Sequence, residues 1–197
     1  MRLPIASAAI AAALYAPTLP AVDVQFAPGT DAKSYKRVLV APAKVEFQKE
    51  FLVEAKTSRN PTLRLRADEI REIEKNMGED FTKALEEALR RRGFEIAPAP
   101  GGDVLQVSPA LRNLYVNGPD PQVAGMQTSF VREAGGAMMV AEARNPAGSP
   151  VASASEETTT LRTLGFEPAN QVTNRFRFEA MFRSYADEFA GAIAARK

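Results

Sequence analysis

The 197-residue chain contains no cysteine and no histidine, the two residue types on which much protein chemistry depends. Zinc sites draw mainly on thiolates and imidazoles, and a Ser-His-Asp triad needs an imidazole as its base. The S-x-x-K and G-x-S-x-G motifs of other serine nucleophiles are also missing from the sequence. We therefore predict that the chain is not an enzyme and that it has no catalytic, metal-binding or cofactor-binding residues.

Carboxylates are the remaining candidates for chemistry. The sequence has no D-x-[DN]-x-[DN]-G calcium loop. Glycosidases use two carboxylates that flank one bond, and Glu156 and Glu157 are adjacent in the chain. Neighbouring residues of a strand point to opposite faces, so these two cannot act on one bond. We interpret them as a solvated strand edge, and a hydrolase that uses other carboxylates stays open as a third hypothesis.

Glycine pairs and arginine clusters are the other conspicuous groups. The segments Gly101–Asp103 (GGD) and Gly135–Ala137 (GGA) indicate turns or bulges, because neither opens a helix after a strand as a phosphate-binding loop does. Arg90–Arg92, with Arg64 and Arg66, could form a basic patch for phosphorylated envelope lipids. We favour the alternative, in which they complement the negative end of a helix dipole and add solubility.

Apolar residues also occur within a segment rich in glycine and proline, from Asn117 to Gly136. They are Val123, Met126, Phe130 and Val131. Apolar side chains on a loop can contact a partner. They can also fold under the loop onto a sheet, which is the interpretation we favour.

The first 21 residues have the pattern of a secretory signal peptide. Arg2 is basic, Leu3–Ala16 is apolar, two prolines follow, and Ala21 precedes the expected cut. The apolar run is shorter than the roughly 20 residues of a membrane span. A buried N-terminal helix and an uncleaved anchor are the alternatives. Because no cysteine follows, we expect no lipid anchor and a soluble periplasmic or secreted protein.

Charge is balanced once Arg2 is removed, because the 25 basic and 24 acidic residues of the chain then become equal in number. This balance gives no general attraction to nucleic acid. We predict a flexible lead-in over residues 22–34 and a single domain over residues 35–197.

Hydrophobic periodicity predicts the elements of this domain. An apolar stripe from Ile70 to Leu89 predicts a helix in which Asp68 caps the first turn, Gly78 costs about 1 kcal/mol relative to alanine, and Gly93 ends the last turn. A second, aromatic-rich stripe predicts a closing helix from about Val172. The predicted extended segments are Tyr35–Phe47, the short Phe94–Pro98, Val104–Val116 and a hairpin of Ala137–Arg144 with Val151–Thr160 around an Asn145–Gly148 turn.

These elements predict an α+β fold, a two-layer sandwich in which two amphipathic helices pack on one face of a mostly antiparallel sheet. The long connection over residues 48–67 is predicted as a loop held down by Phe51, Leu52 and Leu63.

Four segments together resemble a known family: YKRVLVAPAKVEF, the IREIEKNMGEDFTKALEEALRRRGFEIAPAPGGDVLQV unit, the GGAMMVAEARNPAGSPVASASEE hairpin and the aromatic closing helix. The order resembles an uncharacterised bacterial (lipo)protein family defined as a domain of unknown function. That family is distantly similar in fold to the N-terminal domain of TolB and to curli-secretion-type lipoproteins. The resemblance implies a periplasmic location in the cell envelope of a Gram-negative bacterium, with association to the outer membrane left open, and no enzyme activity. This chain lacks the lipid-bearing cysteine of that family.

The leading hypothesis is therefore an exported cell-envelope protein, a non-enzymatic binding or assembly module with an envelope protein as its partner. The alternative is a periplasmic carrier of a small ligand or lipid, which would need an apolar cavity between helices and sheet.

Overall fold

A computed structural model describes residues 22–30, 35–59, 64–117, 130–131, 134–160, 167–168 and 171–196. In this part of the chain, strands and helices follow one another in a mixed order. The strands are β1 (Val24–Phe26), β2 (Arg37–Val40), β3 (Lys44–Phe47), β4 (Glu95–Ile96), β5 (Val104–Val116), β6 (Phe130–Val131), β7 (Gly135–Arg144), β8 (Pro150–Thr159) and β9 (Glu167–Pro168). The helices are α1 (Lys49–Thr57), α2 (Ala67–Arg91) and α3 (Gln171–Ala195).

Seven strands form one mixed sheet in the order β1-β8-β7-β5-β2-β4, and β3 pairs with β5 beside β2. The long pairings β5/β7 and β7/β8 are antiparallel, as is the short pairing β1/β8. The pairings of β2 and β3 with β5, and of β2 with β4, are parallel. The α+β sandwich is confirmed, and the parallel part of the sheet is a feature that the sequence pattern did not predict.

Helices α2 and α3 supply the second layer and bury their apolar stripes with the inward side chains of the sheet. The ring of Phe81 on α2 lies 5.2 Å from that of Phe182 and 5.7 Å from that of Tyr185 on α3. Phe178 and Phe189 of α3 are also fully buried. Both apolar stripes are therefore core, as their spacing predicts.

The predicted ends of α2 are partly confirmed. The helix begins at Ala67, and Arg66 occupies the cap position. The main-chain N–H of Arg66 donates to the Glu69 carboxylate at 2.6 Å. The prediction that Asp68 caps the helix is wrong, because Asp68 already lies inside the first turn. Gly93 has a φ of 85° and ends the helix as predicted.

The connection over residues 48–67 contains helix α1, where the sequence analysis predicted a loop. Phe51 and Leu52 pack against a small second cluster formed by Ala55, Leu65 and Ile70. The two residues anchor the connection by apolar packing, as expected. Leu63 lies outside the described residues.

The predicted flexible lead-in over residues 22–34 contains strand β1, which pairs antiparallel with β8. Val22 is buried in the main core, and Val24 and Phe26 pack against it. Alternation of inward apolar residues with Asp23 and Gln25 is a strand pattern. The residues of the expected signal peptide, 1–21, lie outside the described part.

Candidate binding site between helix α2 and strand β3

The predicted basic patch is not assembled. Arg64 and Arg66 precede α2, whereas Arg90–Arg92 lie at its other end. A helix of 25 residues is about 37 Å long. Arg91 instead pairs with Asp187 of α3 at 2.8 Å. The position of Arg90–Arg92 at the C-terminal end agrees with the favoured alternative, whereas Arg64 and Arg66 lie at the positive end of the dipole and do not complement it.

The two glycine pairs form a turn and an irregular strand start. The main-chain N–H of Val104 donates to the carbonyl of Gly101 at 3.2 Å. Gly135 begins β7, near the point where the register of β5 shifts between Arg112 and Tyr115. The first observation confirms a turn at Gly101–Asp103, whereas Gly135–Ala137 lie within β7, opposite an irregularity of β5, and form neither a turn nor a bulge themselves. In the apolar segment of residues 117–136, Val123 and Met126 lie outside the described residues.

Glu156 and Glu157 point to opposite faces of β8, as predicted. Glu157 is exposed, whereas Glu156 is half-buried on the helix side. Burial raises the pKa of Glu156, and the nearby carboxylate of Glu188 on α3 raises it further. The interpretation of both residues as a solvated edge is therefore wrong for Glu156. Glu188 accepts a hydrogen bond from the main-chain N–H of Val22 at 2.5 Å.

The interface between the helices and the sheet is filled by large side chains. Phe81, Phe178, Phe182, Tyr185 and Phe189 all have less than 2% of their surface exposed. These rings occupy the space in which a carrier would hold an apolar ligand. The described part of the core thus gives no support to the carrier hypothesis.

An open groove of about 1050 Å³ lies instead on the outer side of the molecule, between α2 and the β2–β3 segment. One wall is the β2–β3 segment, and the other is the outer face of α2. The lining residues are Val40, Pro42, Ala43, Lys44, Val45, Glu46, Arg71, Glu74, Lys75, Gly78, Glu79, Thr82, Lys83 and Glu86.

Gly78 explains how the helix and the strand come close together at the floor of this groove. A Cβ atom at this position would lie 3.2 Å from the Ala43 carbonyl oxygen and 3.3 Å from Cγ2 of Val45. The Thr82 hydroxyl donates to the Gly78 carbonyl at 2.7 Å and accepts the main-chain N–H of Ala43 at 2.9 Å. The helix-weakening glycine that the sequence shows is therefore a contact point with the strand.

Strand β3 has one edge without a partner strand among the described residues, because β3 pairs only with β5. The main-chain N–H of Gln48 points to β5, where it donates to the Leu114 carbonyl at 2.9 Å. Along a strand, main-chain groups alternate between the two edges. Ala43 and Val45 therefore present their main-chain groups to the open edge, and Thr82 already occupies that of Ala43.

The charges along the groove are of both signs. Its lining contains Lys44, Arg71, Lys75 and Lys83 together with Glu46, Glu74, Glu79 and Glu86. Lys75 pairs with Glu79 at 3.9 Å, and Lys83 pairs with Glu87 at 4.0 Å, in both cases between exposed side chains. Exposed pairs of this kind contribute at most about 1 kcal/mol and rearrange easily. The groove therefore presents charges that a partner can recruit.

Sequence reasoning missed this groove. Its two local signals are Pro42, which interrupts the Tyr35–Phe47 extended segment, and Gly78, which lies within a strong helical pattern. Neither residue reveals the other, because the groove that both line depends on the tertiary packing of α2 against β3.

Two further features concern metals and membranes. Across the described ranges, no group of three or more carboxylates is placed to hold a metal ion. Within the same ranges, each helix is too short or too polar to cross a membrane.

No protein-family model matches the chain, and a search of curated proteins finds no relative. Among solved structures, the chain is similar to a PelC dodecamer from Paraburkholderia phytofirmans, with 12% identity, a TM-score of 0.44, and coverage of 84% of this chain and 97% of that chain. A DUF4136 family protein from Bacteroides thetaiotaomicron has 12% identity, a TM-score of 0.44, and coverage of 89% and 97%.

A minor lipoprotein from Acinetobacter baumannii has 8% identity, a TM-score of 0.32, and coverage of 82% and 94%. The similar structures thus include a DUF4136 family protein and a minor lipoprotein. Likeness at this level does not assign the chain to a family.

Proposed function

We propose that the protein is a non-enzymatic binding or assembly module of the cell envelope, and that it binds an extended segment of a partner protein in the groove between α2 and β3. The observation that carries this proposal is the open edge of β3 along that groove. The expected export, inferred from the pattern of residues 1–21, places such a partner in the periplasm.

An extended peptide can add to the open edge of a sheet, with main-chain hydrogen bonds giving affinity and flanking side chains giving specificity. The main-chain groups of Val45 face this edge. Charged side chains of both signs border it on β3 and on α2. A partner segment that carries both acidic and basic residues matches this lining better than a polyanion does, since acidic side chains would repel a nucleic acid or an anionic lipid.

Photo-crosslinking in cells tests the proposal. A photoreactive residue is placed at Glu46 on β3 or at Lys75 on α2, both exposed in the groove, and at Ser184 on the exposed face of α3 as the control. We expect both groove positions to crosslink to the same envelope protein and Ser184 not to do so. Equal crosslinking from Ser184 would contradict the proposed site.

A pair of variants then tests the binding mode. Val45→Pro removes both the valine side chain and the main-chain N–H at the open edge. The matched control Val45→Ala also removes the valine side chain but keeps the N–H. The loss of one main-chain hydrogen bond, about 1.4 kcal/mol, should weaken binding about tenfold in Val45→Pro relative to Val45→Ala. Equal binding by the two variants, with both folded by circular dichroism, would contradict strand addition.

A further inference from the structure

The main-chain nitrogen of Val22 lies beside the Glu188 carboxylate at the β1 edge of the sheet. Its N–H donates to Oε2 of Glu188 on α3 at 2.5 Å. Glu156 on β8 lies close enough to Glu188 for the two carboxylates to interact electrostatically. Neither carboxylate forms a salt bridge with a basic side chain among the described residues, and the ion pairs of α3 use other acids.

Extrapolation of the strand register beyond its last observed pair brings Val22 towards Glu156 as well. The β1/β8 register pairs Val24 with Ala154, and its continuation by two residues places Val22 opposite Glu156. Both residues are on the helix side of the sheet, which Glu188 also faces. The side chain of Val22 is 9% exposed and belongs to the main core, so its nitrogen is held in position.

A peptide N–H suits this position poorly, because it is neutral and has one proton for two carboxylates. An ammonium group has three donor protons and a full positive charge. It would balance the electrostatic interaction between the two acids and satisfy more than one of their oxygen atoms.

We propose that hydrolysis of the Ala21–Val22 peptide bond converts this nitrogen into an α-ammonium group that Glu188 and Glu156 bind. A peptidase adds water across the bond. Ala21 departs with the new carboxylate, and the freed amine of Val22 takes up a proton. The structure thereby specifies which residue begins the processed chain, and removal of the leader adds an ion pair that the precursor lacks.

Paired chains that differ by one residue test this inference. One begins at Val22 and the other at Ala21, and each is released from a fusion by a protease that leaves no extra residue. In the longer chain the charge moves by about 3.5 Å, and Val22 again carries a peptide N–H. We expect the chain that begins at Val22 to have a melting temperature higher by roughly 2–4 °C.

Variants at Glu188 show whether the carboxylate causes this difference. Glu188→Gln should abolish the difference between the two chains, whereas Glu157→Gln, at an exposed position of β8, should preserve it. A difference that persists in Glu188→Gln, or its absence in the unsubstituted pair, would overturn the inference. The result is independent of the groove, which involves β3 and α2.

The mass of the protein recovered from the periplasm provides a second test. The proposal requires the mass of Val22–Lys197. A chain that begins at any other residue would overturn it, even if the partner of the groove were confirmed.

Discussion

Tyr185 is fully buried at the centre of the helix layer, with its polar atom paired to the sheet. Its ring packs against Phe81 at 5.7 Å. Its hydroxyl donates to the Ala154 carbonyl on β8 at 3.0 Å. One residue thus combines apolar packing between α2 and α3 with a hydrogen bond between the two layers.

Replacing Tyr185 with phenylalanine should lower stability at neutral pH and reduce its loss at alkaline pH. The variant loses the hydrogen bond to Ala154, at a cost of about 1 kcal/mol. Burial, followed by the nearby Glu156 carboxylate, raises the pKa of Tyr185 above its ordinary value. Above about pH 10 the unfolded chain releases this proton and the folded protein retains it, so the stability of the wild type falls as pH rises.

Denaturant unfolding at pH 7 and at pH 10.5 measures both effects. We expect the Tyr185→Phe variant to be less stable at pH 7 and to lose less stability than the wild type at the higher pH. Tyr35→Phe, at a half-buried position near the start of β2, is the control. An identical pH dependence in the wild type and in Tyr185→Phe would contradict this account.

The sequence predicted the burial of Tyr185 but not the partner of its hydroxyl. Spacing of three and four residues identifies the buried face of α3 because that pattern is local. The hydrogen bond to Ala154 spans 31 residues, and the one between Val22 and Glu188 spans 166 residues. No local sequence pattern reveals contacts between residues so far apart in the chain. In the sequence, Glu156 and Glu188 therefore look like ordinary surface charges.

Strands β5 and β7 meet irregularly at their ends, and this irregularity requires glycine. Gly135, the first residue of β7, pairs with Val116 and has a φ of 146°. A Cβ atom there would lie 2.8 Å from Cζ of Phe178, and it would overlap the carbonyl oxygen of Tyr115. The strand start is thus packed against both its neighbour and α3.

Gly135→Ala should therefore destabilise the protein by about 3 kcal/mol, through overpacking and a strained backbone. The melting temperature should fall by roughly 6–12 °C. Gly102→Ala is the matched control, because a Cβ atom at Gly102 has no neighbour within 4 Å. Similar melting temperatures for the two variants would show that the strand start adapts to a side chain.

Elements with strong local patterns were predictable, and those that depend on distant partners were not. The range Val104–Val116 and the hairpin of β7 and β8 agree closely with prediction, because alternation and the Asn145–Gly148 turn are local signals. Strand β1 is only three residues long and is defined by its pairing with β8. Helix α1 is short, and its apolar residues pack in a small second cluster with residues from outside the helix.

At the scale of the whole molecule, strand β1 and the end of α3 bring the two ends of the described chain together. Strand β1 forms one edge of the sheet by pairing with β8. The guanidinium of Arg196 lies 4.3 Å from the centre of the Phe26 ring, an arrangement in which a cation is attracted to the face of the ring. The first described segment therefore covers β8 and contacts the last.

A chain that begins at Ala27 should consequently be less stable and more prone to association than one that begins at Val22. It loses the buried side chain of Val22 and the half-buried side chains of Val24 and Phe26, which together contribute about 3 kcal/mol. The expected fall in melting temperature is roughly 6–12 °C.

Removal of β1 also leaves an edge of β8 unpaired, and exposed sheet edges pair with other chains. Light scattering at increasing concentration should therefore detect association of the shorter chain and not of the chain that begins at Val22. A monomer of unchanged melting temperature would mean that β1 is dispensable. The same result would also remove the physical basis for holding the nitrogen of Val22 beside Glu188, because that position depends on the pairing of β1 with β8.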